Sequence, residues 1–159
     1  LITSSAASDV YKRQLIKNNF DNIIPDFETI DDVDNGMISA IKNSFDSAGN
    51  FLEKRQFRNS LKEIMNLAKL GNRYIDQKEP WSTVKSNRQI AANTLWVGAN
   101  LISNLGVLIS PFLPKTSLKI SSIFNFGSDI PKWEYREVKS GTCIVNISPL
   151  FKKIDKEKE

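Results

Sequence analysis

Hydrophobic residues recur along this chain at helical spacing, and the stretch 57–81, FRNSLKEIMNLAKLGNRYIDQKEPW, shows the pattern most fully. Phe57, Leu61, Ile64, Met65, Ala68 and Ile75 share one side of a 3.6-residue period and predict a core-facing stripe, with Arg58, Lys62, Lys69 and Arg73 opposite. The helix is expected over about 54–77. Gly71 inside it costs about 1 kcal/mol relative to alanine, which close packing would offset. Upstream, Met37, Ile38, Ile41, Phe45 and Leu52 predict another helix, entered through Asp31 or Asp32 as the capping residue and broken at Gly49.

Pro80 suits the first turn of a new helix, where its missing N–H is no loss, and it places Trp81 at a helix entrance near a hairpin tip. A long pattern over 87–110 follows, with Ile90, Ala91, Leu95, Gly98, Leu101, Ile102, Leu105, Leu108 and Ile109 on one broad face. So wide a stripe predicts a central helix with neighbours on more than one side. Pro114 opens a further helix carrying Leu118, Ile120, Ile123 and Phe124 and stopping before Gly127. Beyond it, Cys143, Val145 and Ile147 alternate with Thr142, Ile144 and Asn146, which reads as an extended segment or short strand.

These elements predict a mainly α fold: an antiparallel bundle of four or five helices with a C-terminal extended segment. The expected organisation is a leader at 1–14, a helical domain at 15–127, an extension at 128–155 and a disordered charged tail at 156–159. The extension is expected to pack back on the bundle or on another domain. The leader, LITSSAASDVYKRQ, has neither periodicity nor a signal-peptide core and resembles translated sequencing-adapter read-through. It is expected to be non-native, and the chain a fragment of a longer protein.

Charge adds an asymmetry. Residues 15–49 hold two basic and seven acidic residues, net −5, whereas residues 50–159 hold 18 basic and 10 acidic, net +8. A basic half with a pI near 9.2 favours a nucleic-acid partner. The acidic run Asp26, Glu28, Asp31, Asp32 and Asp34 reads as a solvated helix entry. There is no histidine, so Ser-His and Cys-His nucleophile pairs and histidine bases are excluded. The single Cys143 allows no internal disulfide or metal cluster, and a reducing cytoplasm is the simplest compartment. The apolar stretch 101–113 is interrupted by Ser103, Asn104, Ser110 and Pro111 and falls short of the roughly 20 residues that span a bilayer. No membrane partner and no catalytic or metal-binding residue are expected.

Gly71-Asn72-Arg73-Tyr74 followed by Glu79-Pro80-Trp81, then a long helix, PFLP at 111–114 and LFKKID at 150–155, stand in an order that resembles the anticodon-binding domain of methionyl-tRNA synthetases, of the archaeal and eukaryotic type. The likeness covers nearly everything over 15–155. It implies a helical bundle that follows a Rossmann-type catalytic domain and grips the CAU anticodon of methionine and initiator tRNAs. It implies that Pro80 and Trp81 set an indole against the first anticodon base; Asn72, Arg73 and Tyr74 are read as lining the RNA groove beside them. An asparagine and an arginine expected on a helix before Leu15 have no counterpart in residues 1–14. ATP and zinc belong to the catalytic part, whose signature motifs, the first of which needs histidine, have no match here, so the chain alone is expected to carry no cofactor and no activity.

Other readings stand beside these. Periodicity alone lets Trp81 be a core residue, and Asn72 and Tyr74 a buried hydrogen-bonded pair bracing the hairpin. Lys78, Lys85 and Arg88, with Arg73, cluster around the tip as phosphate contacts or as a solvated basic face. Trp96 and Trp133 are expected in the core or at a domain interface, and Cys143 as inert. The chain could also be the anticodon domain of a valine, isoleucine, leucine or cysteine enzyme, or a helical protein-interaction scaffold without RNA binding.

Overall fold

A capping box starts the first helix. In the computed structural model, which describes residues 19–144, the Asp34 N–H donates to Asp31 Oδ1 at 2.9 Å and the Asp31 N–H donates back to Asp34 Oδ2 at 3.3 Å. Helix α1 (Asp32–Glu53) then runs through Gly49 without the expected break, and the glycine lets the edge of Trp133 approach closely: a Cβ would lie 3.0 Å from its indole nitrogen. Lys54, Arg55 and Gln56 turn the chain, with Arg55 left-handed at φ 59°.

Helix α2 (Phe57–Lys78) returns alongside α1. Ser60 meets Ala48 near the turn, while Tyr74 and Lys78 meet Asp34 and Asp31 at the far end, so partner numbers rise on one helix as they fall on the other. That is an antiparallel hairpin. Its buried face is Ser60, Ile64, Leu67, Gly71, Tyr74 and Ile75. The stripe expected from the sequence is therefore rotated: Phe57 and Leu61 are exposed, at 57% and 40%, and Met65 and Ala68 half-buried. Small Ser60 and Gly71 occupy the core line instead because α1 and the central helix come too close for larger side chains. Ser60 Oγ donates to Ala48 O at 2.9 Å, and a Cβ on Gly71 would run into Leu101.

One residue, Glu79, separates α2 from a seven-residue helix α3 (Pro80–Ser86) that periodicity did not resolve from its successor. Asn87, whose Oδ1 accepts the N–H groups of Gln89 and Ile90, caps α4 (Arg88–Leu108). Helix α4 is the expected central helix, every residue over 91–104 being buried, although Ile90 at its start is exposed. Helix α5 (Pro114–Ile123) packs Ile120 where Gly106 leaves room. Five helices bounded at both ends, a helical pair at 19–20 and no strand are found among the described residues. The architecture is the mainly helical bundle that the pattern implied.

The predicted strand reduces to one antiparallel bridge between Ile23 and Cys143, and its remaining residues, 145–147, lie outside the described ones. So do the leader, the 150–155 motif and the tail. The segment before them is held by side chains of α4. The Val138 N–H donates to Asn100 Oδ1 at 2.8 Å and the Trp96 indole N–H to Val138 O at 3.0 Å. Asn104 Oδ1 accepts the Arg136 N–H at 2.9 Å while its amide donates to Arg136 O at 2.8 Å. Trp133 closes the other side, its indole N–H donating to Phe45 O at 3.1 Å. Both tryptophans therefore pack within the bundle.

Asn100→Ala removes the acceptor of the buried Val138 N–H while leaving α4 itself helical. It should lower unfolding free energy by about 2 kcal/mol in urea melts and speed hydrogen exchange at Val138 before that of α4.

Candidate nucleic-acid interface

The hairpin tip is where chemistry-bearing residues gather. Lys78, the last residue of α2, is not a free surface cation: its side chain is 9% exposed, with Nζ 2.5 Å from Asp31 Oδ2 and 3.1 Å from Asp34 Oδ1. The Tyr74 hydroxyl donates to the same Asp34 oxygen at 2.6 Å. Two expectations are corrected here. Asp34, at 1% exposure, belongs to the interior rather than to a solvated acidic run. Tyr74 pairs with Asp34 and not with Asn72, because its ring points across to α1 while Asn72 lies half-buried on a neighbouring face.

Electrostatics follows from this packing. Burial pushes the Tyr74 phenol far above its ordinary range, and its bond to the Asp34 carboxylate adds to the shift. For Lys78 burial works against the charge, but bonding to Asp31 and Asp34 outweighs it and the net shift is upward. The Lys78 hydrogen bond holds the exposed Asp31 carboxyl below its usual range against a smaller opposing effect of burial. The charges also sit at favourable helix ends, carboxylates at the α1 N-terminus and an ammonium at the α2 C-terminus.

Beyond Lys78 the chain bends at Glu79, left-handed at φ 46°, ψ 58°. Pro80 is buried and starts α3 as expected, and Trp81 beside it is half-buried, packed partly on the core. Its ring is thus neither a wholly enclosed core residue nor a fully solvated one. Lys85, one turn along α3, is exposed, as is Arg73 on α2. Arg88 is exposed too, yet its guanidinium donates to Asn19 O and lies 4.5 Å over the Phe20 ring, so part of its capacity is spent tying down the first described residues. An open cleft of about 800 Å³ runs beside it, lined by Phe20, Asp26, Ser86, Asn87 and Gln89 among others; Trp81 is not in its lining.

The structure thus brings Pro80, Trp81 and Lys85 onto one short helix, sets Asn72 and Arg73 on the last turns of α2, and withdraws Lys78 into an ion pair. Sequence reasoning missed the partners of Lys78. The usable signal was two pairs at helical spacing, Tyr74 with Lys78 and Asp31 with Asp34, at ends of helices that a hairpin must bring together. Cys143 is exposed and single, there is no histidine, and no metal-holding group of acidic or cysteine residues occurs among the described residues. Nor, among them, is any helix long and apolar enough to cross a membrane.

The fold is shared with methionyl-tRNA synthetase of Mycobacterium tuberculosis. Its methionyl-adenylate complex superposes with a TM-score of 0.80 at 17% identity, covering 89% of this chain and 29% of that one. The ligand-free form gives 0.81 at 18% identity, covering 92% and 31%. These likenesses define a shared helical-bundle fold. The methionine–tRNA ligases of Thermococcus kodakarensis and Pyrococcus furiosus are 33% and 34% identical over 139 and 145 residues, covering 87% and 91% of this chain but 19% and 20% of the relatives. Residues 24–159 match the family described as the anticodon binding domain of methionyl tRNA ligase, and the chain belongs to that family. It spans about a fifth of the length of these curated relatives.

Lys78→Met should cost about 3 kcal/mol, since it takes the ammonium partner away from the buried Asp34 side chain. The sign with pH follows from the shifts. The raised Lys78 contributes fully below its ordinary 10.5 and loses its effect as pH climbs through the folded value; the lowered Asp31 contributes fully above its ordinary 3.8 and loses it as pH falls through the folded value. The gap in thermal stability between wild type and Lys78→Met should accordingly be flat between these limits and narrow outside them.

Proposed function

We propose that this chain recognises the CAU anticodon loop of methionine and initiator tRNAs as the anticodon-binding part of a methionine–tRNA ligase. The observation that carries the reading is the half-buried Trp81 at a one-residue junction between helices, in a chain of this family. A half-buried indole packed on the core loses little freedom when an unstacked base lies against it. Exposed Arg73, Lys85 and Arg88 supply phosphate contacts around it, which position the loop without reading its sequence. Asn72, half-buried one residue before Arg73, is the candidate for a polar contact to a base edge.

In this reading ligation of methionine to tRNA, with ATP and zinc, is the work of a catalytic domain that is the bundle's intramolecular partner, in the cytoplasm. The bundle's own share is binding. It holds the anticodon in a fixed frame, so binding energy gathered at the loop orients the rest of the tRNA.

Trp81→Ala should leave the far-UV helical signal unchanged and weaken a CAU stem-loop by about 1 to 3 kcal/mol, with a smaller effect on a scrambled loop. Equal loss for both loops in a fluorescence-anisotropy titration would contradict stacking. A second expectation concerns chemistry: the purified chain should give no methionine-dependent pyrophosphate exchange above background, and measurable exchange would overturn the division of labour described here.

A further inference from the structure

Lys78 lies three residues before Trp81, and only Glu79 stands between the two helices that carry them. The direction of α3 therefore depends on the two dihedrals of Glu79 and on how firmly the last turn of α2 is held. A helix end normally frays, because its final carbonyls lack partners. Here it is tied twice. The Glu79 N–H donates to Ile75 O at 2.9 Å, while Glu79 O accepts the N–H groups of Ser82 and Thr83, each at 2.9 Å. Lys78 and Tyr74 then fasten the same turn sideways to Asp31 and Asp34, which are themselves locked by the capping box of α1. Thr94 of α4 neighbours the Tyr74 phenol, so three helices meet at this knot.

We infer that the Tyr74–Asp34–Lys78–Asp31 knot fixes the last turn of α2 and thereby sets where Trp81 is presented, which makes Lys78 a positioning residue of the loop-binding surface and not a phosphate ligand. Reaching out to a phosphate would take the cationic partner away from the buried Asp34 side chain, a larger loss than a solvent-exposed phosphate contact returns. The inference rests on the RNA-binding reading above for its functional consequence, and on geometry alone for the placement of the indole.

The test uses the 159-residue chain labelled with 5-fluorotryptophan, the Trp81 resonance being assigned with Trp81→Phe. Lys78→Met and Asp34→Asn should shift or broaden that resonance and leave those of Trp96 and Trp133 in place. Both should weaken the CAU stem-loop by roughly tenfold, toward the affinity of the scrambled loop. The salt dependence of binding should not change in Lys78→Met, whereas Lys85→Met, the phosphate-contact control, should reduce the log–log slope by about 0.7 for both loops. Lys78→Arg, which keeps the pairing charge, should retain most of the preference. Asp34→Asn discriminates sharply: it makes the chain more positive, so a purely electrostatic role predicts tighter RNA binding and positioning predicts weaker.

The inference is overturned if the Trp81 resonance stays put in both variants, if Lys78→Met weakens both loops equally with a reduced slope, or if Asp34→Asn tightens the CAU loop. Should Lys78→Met fail to fold, Asp34→Asn and Lys78→Arg carry the same comparison. Should the wild type show no CAU preference, the RNA-binding reading fails by itself, and the fluorine spectra alone decide whether the knot positions Trp81.

Discussion

A helix buried on every side has no solvent to satisfy its polar side chains, and α4 carries many of them. Asn93, Thr94, Asn100, Ser103 and Asn104 all lie in the interior. Each unmet amide there would cost more than a typical hydrogen bond contributes. The chain meets this constraint by bringing irregular backbone to the helix. Asn93 takes the Glu28 N–H and donates to Thr29 O, while Trp96, Asn100 and Asn104, spaced four residues apart, grip Val138 and Arg136. Helix α4 thus serves two loops as a strand's edge would, and the segments before α1 and after α5 are ordered on it.

Arg136 shows how far that arrangement extends. Its guanidinium is held by Ser103 Oγ at 2.9 Å, Ser121 Oγ at 3.0 Å and Ser103 O at 3.2 Å, over the Phe126 ring. Burial lowers its pKa to about 10, so it remains charged at neutral pH while bonded to hydroxyls and a carbonyl. One buried polar system joins α4, α5 and the extension, and a second, around Asp34, joins α1, α2 and α4. The two lie on different parts of α4. Between them they fix the bundle at both the hairpin tip and the far side, so that the one-residue bend at Glu79 is set against a stiff frame.

For a domain that reads a nucleic-acid loop such stiffness has a physical use. Long cations on the surface adapt to a phosphate backbone with little penalty, but a stacking plane contributes only when its position is established before the base arrives. In the function proposed above the bundle separates these tasks. Arg73 and Lys85 are exposed, whereas Trp81 leans on the core beside buried Pro80.

Periodicity determined the helices because burial repeats every 3.6 residues wherever a helix faces a core, and proline at a first turn marked the starts at Pro80 and Pro114. The class of the central helix was legible from its breadth alone, and the order of short motifs pointed to the family. What the sequence could not determine was phase and pairing. Phe57 and Leu61 have the hydrophobicity of core residues, yet Ser60 and Gly71 took the core line, because how closely α1 and α4 approach α2 is decided only when all three are packed. Lys78 looks like any basic residue near a tip until α1 folds back across the chain and sets two carboxylates within 3.1 Å of it. Trp81 was visible as a residue from the start; its half-buried posture, and the knot that holds its helix, exist only in the tertiary structure, since they depend on contacts between residues some forty positions apart.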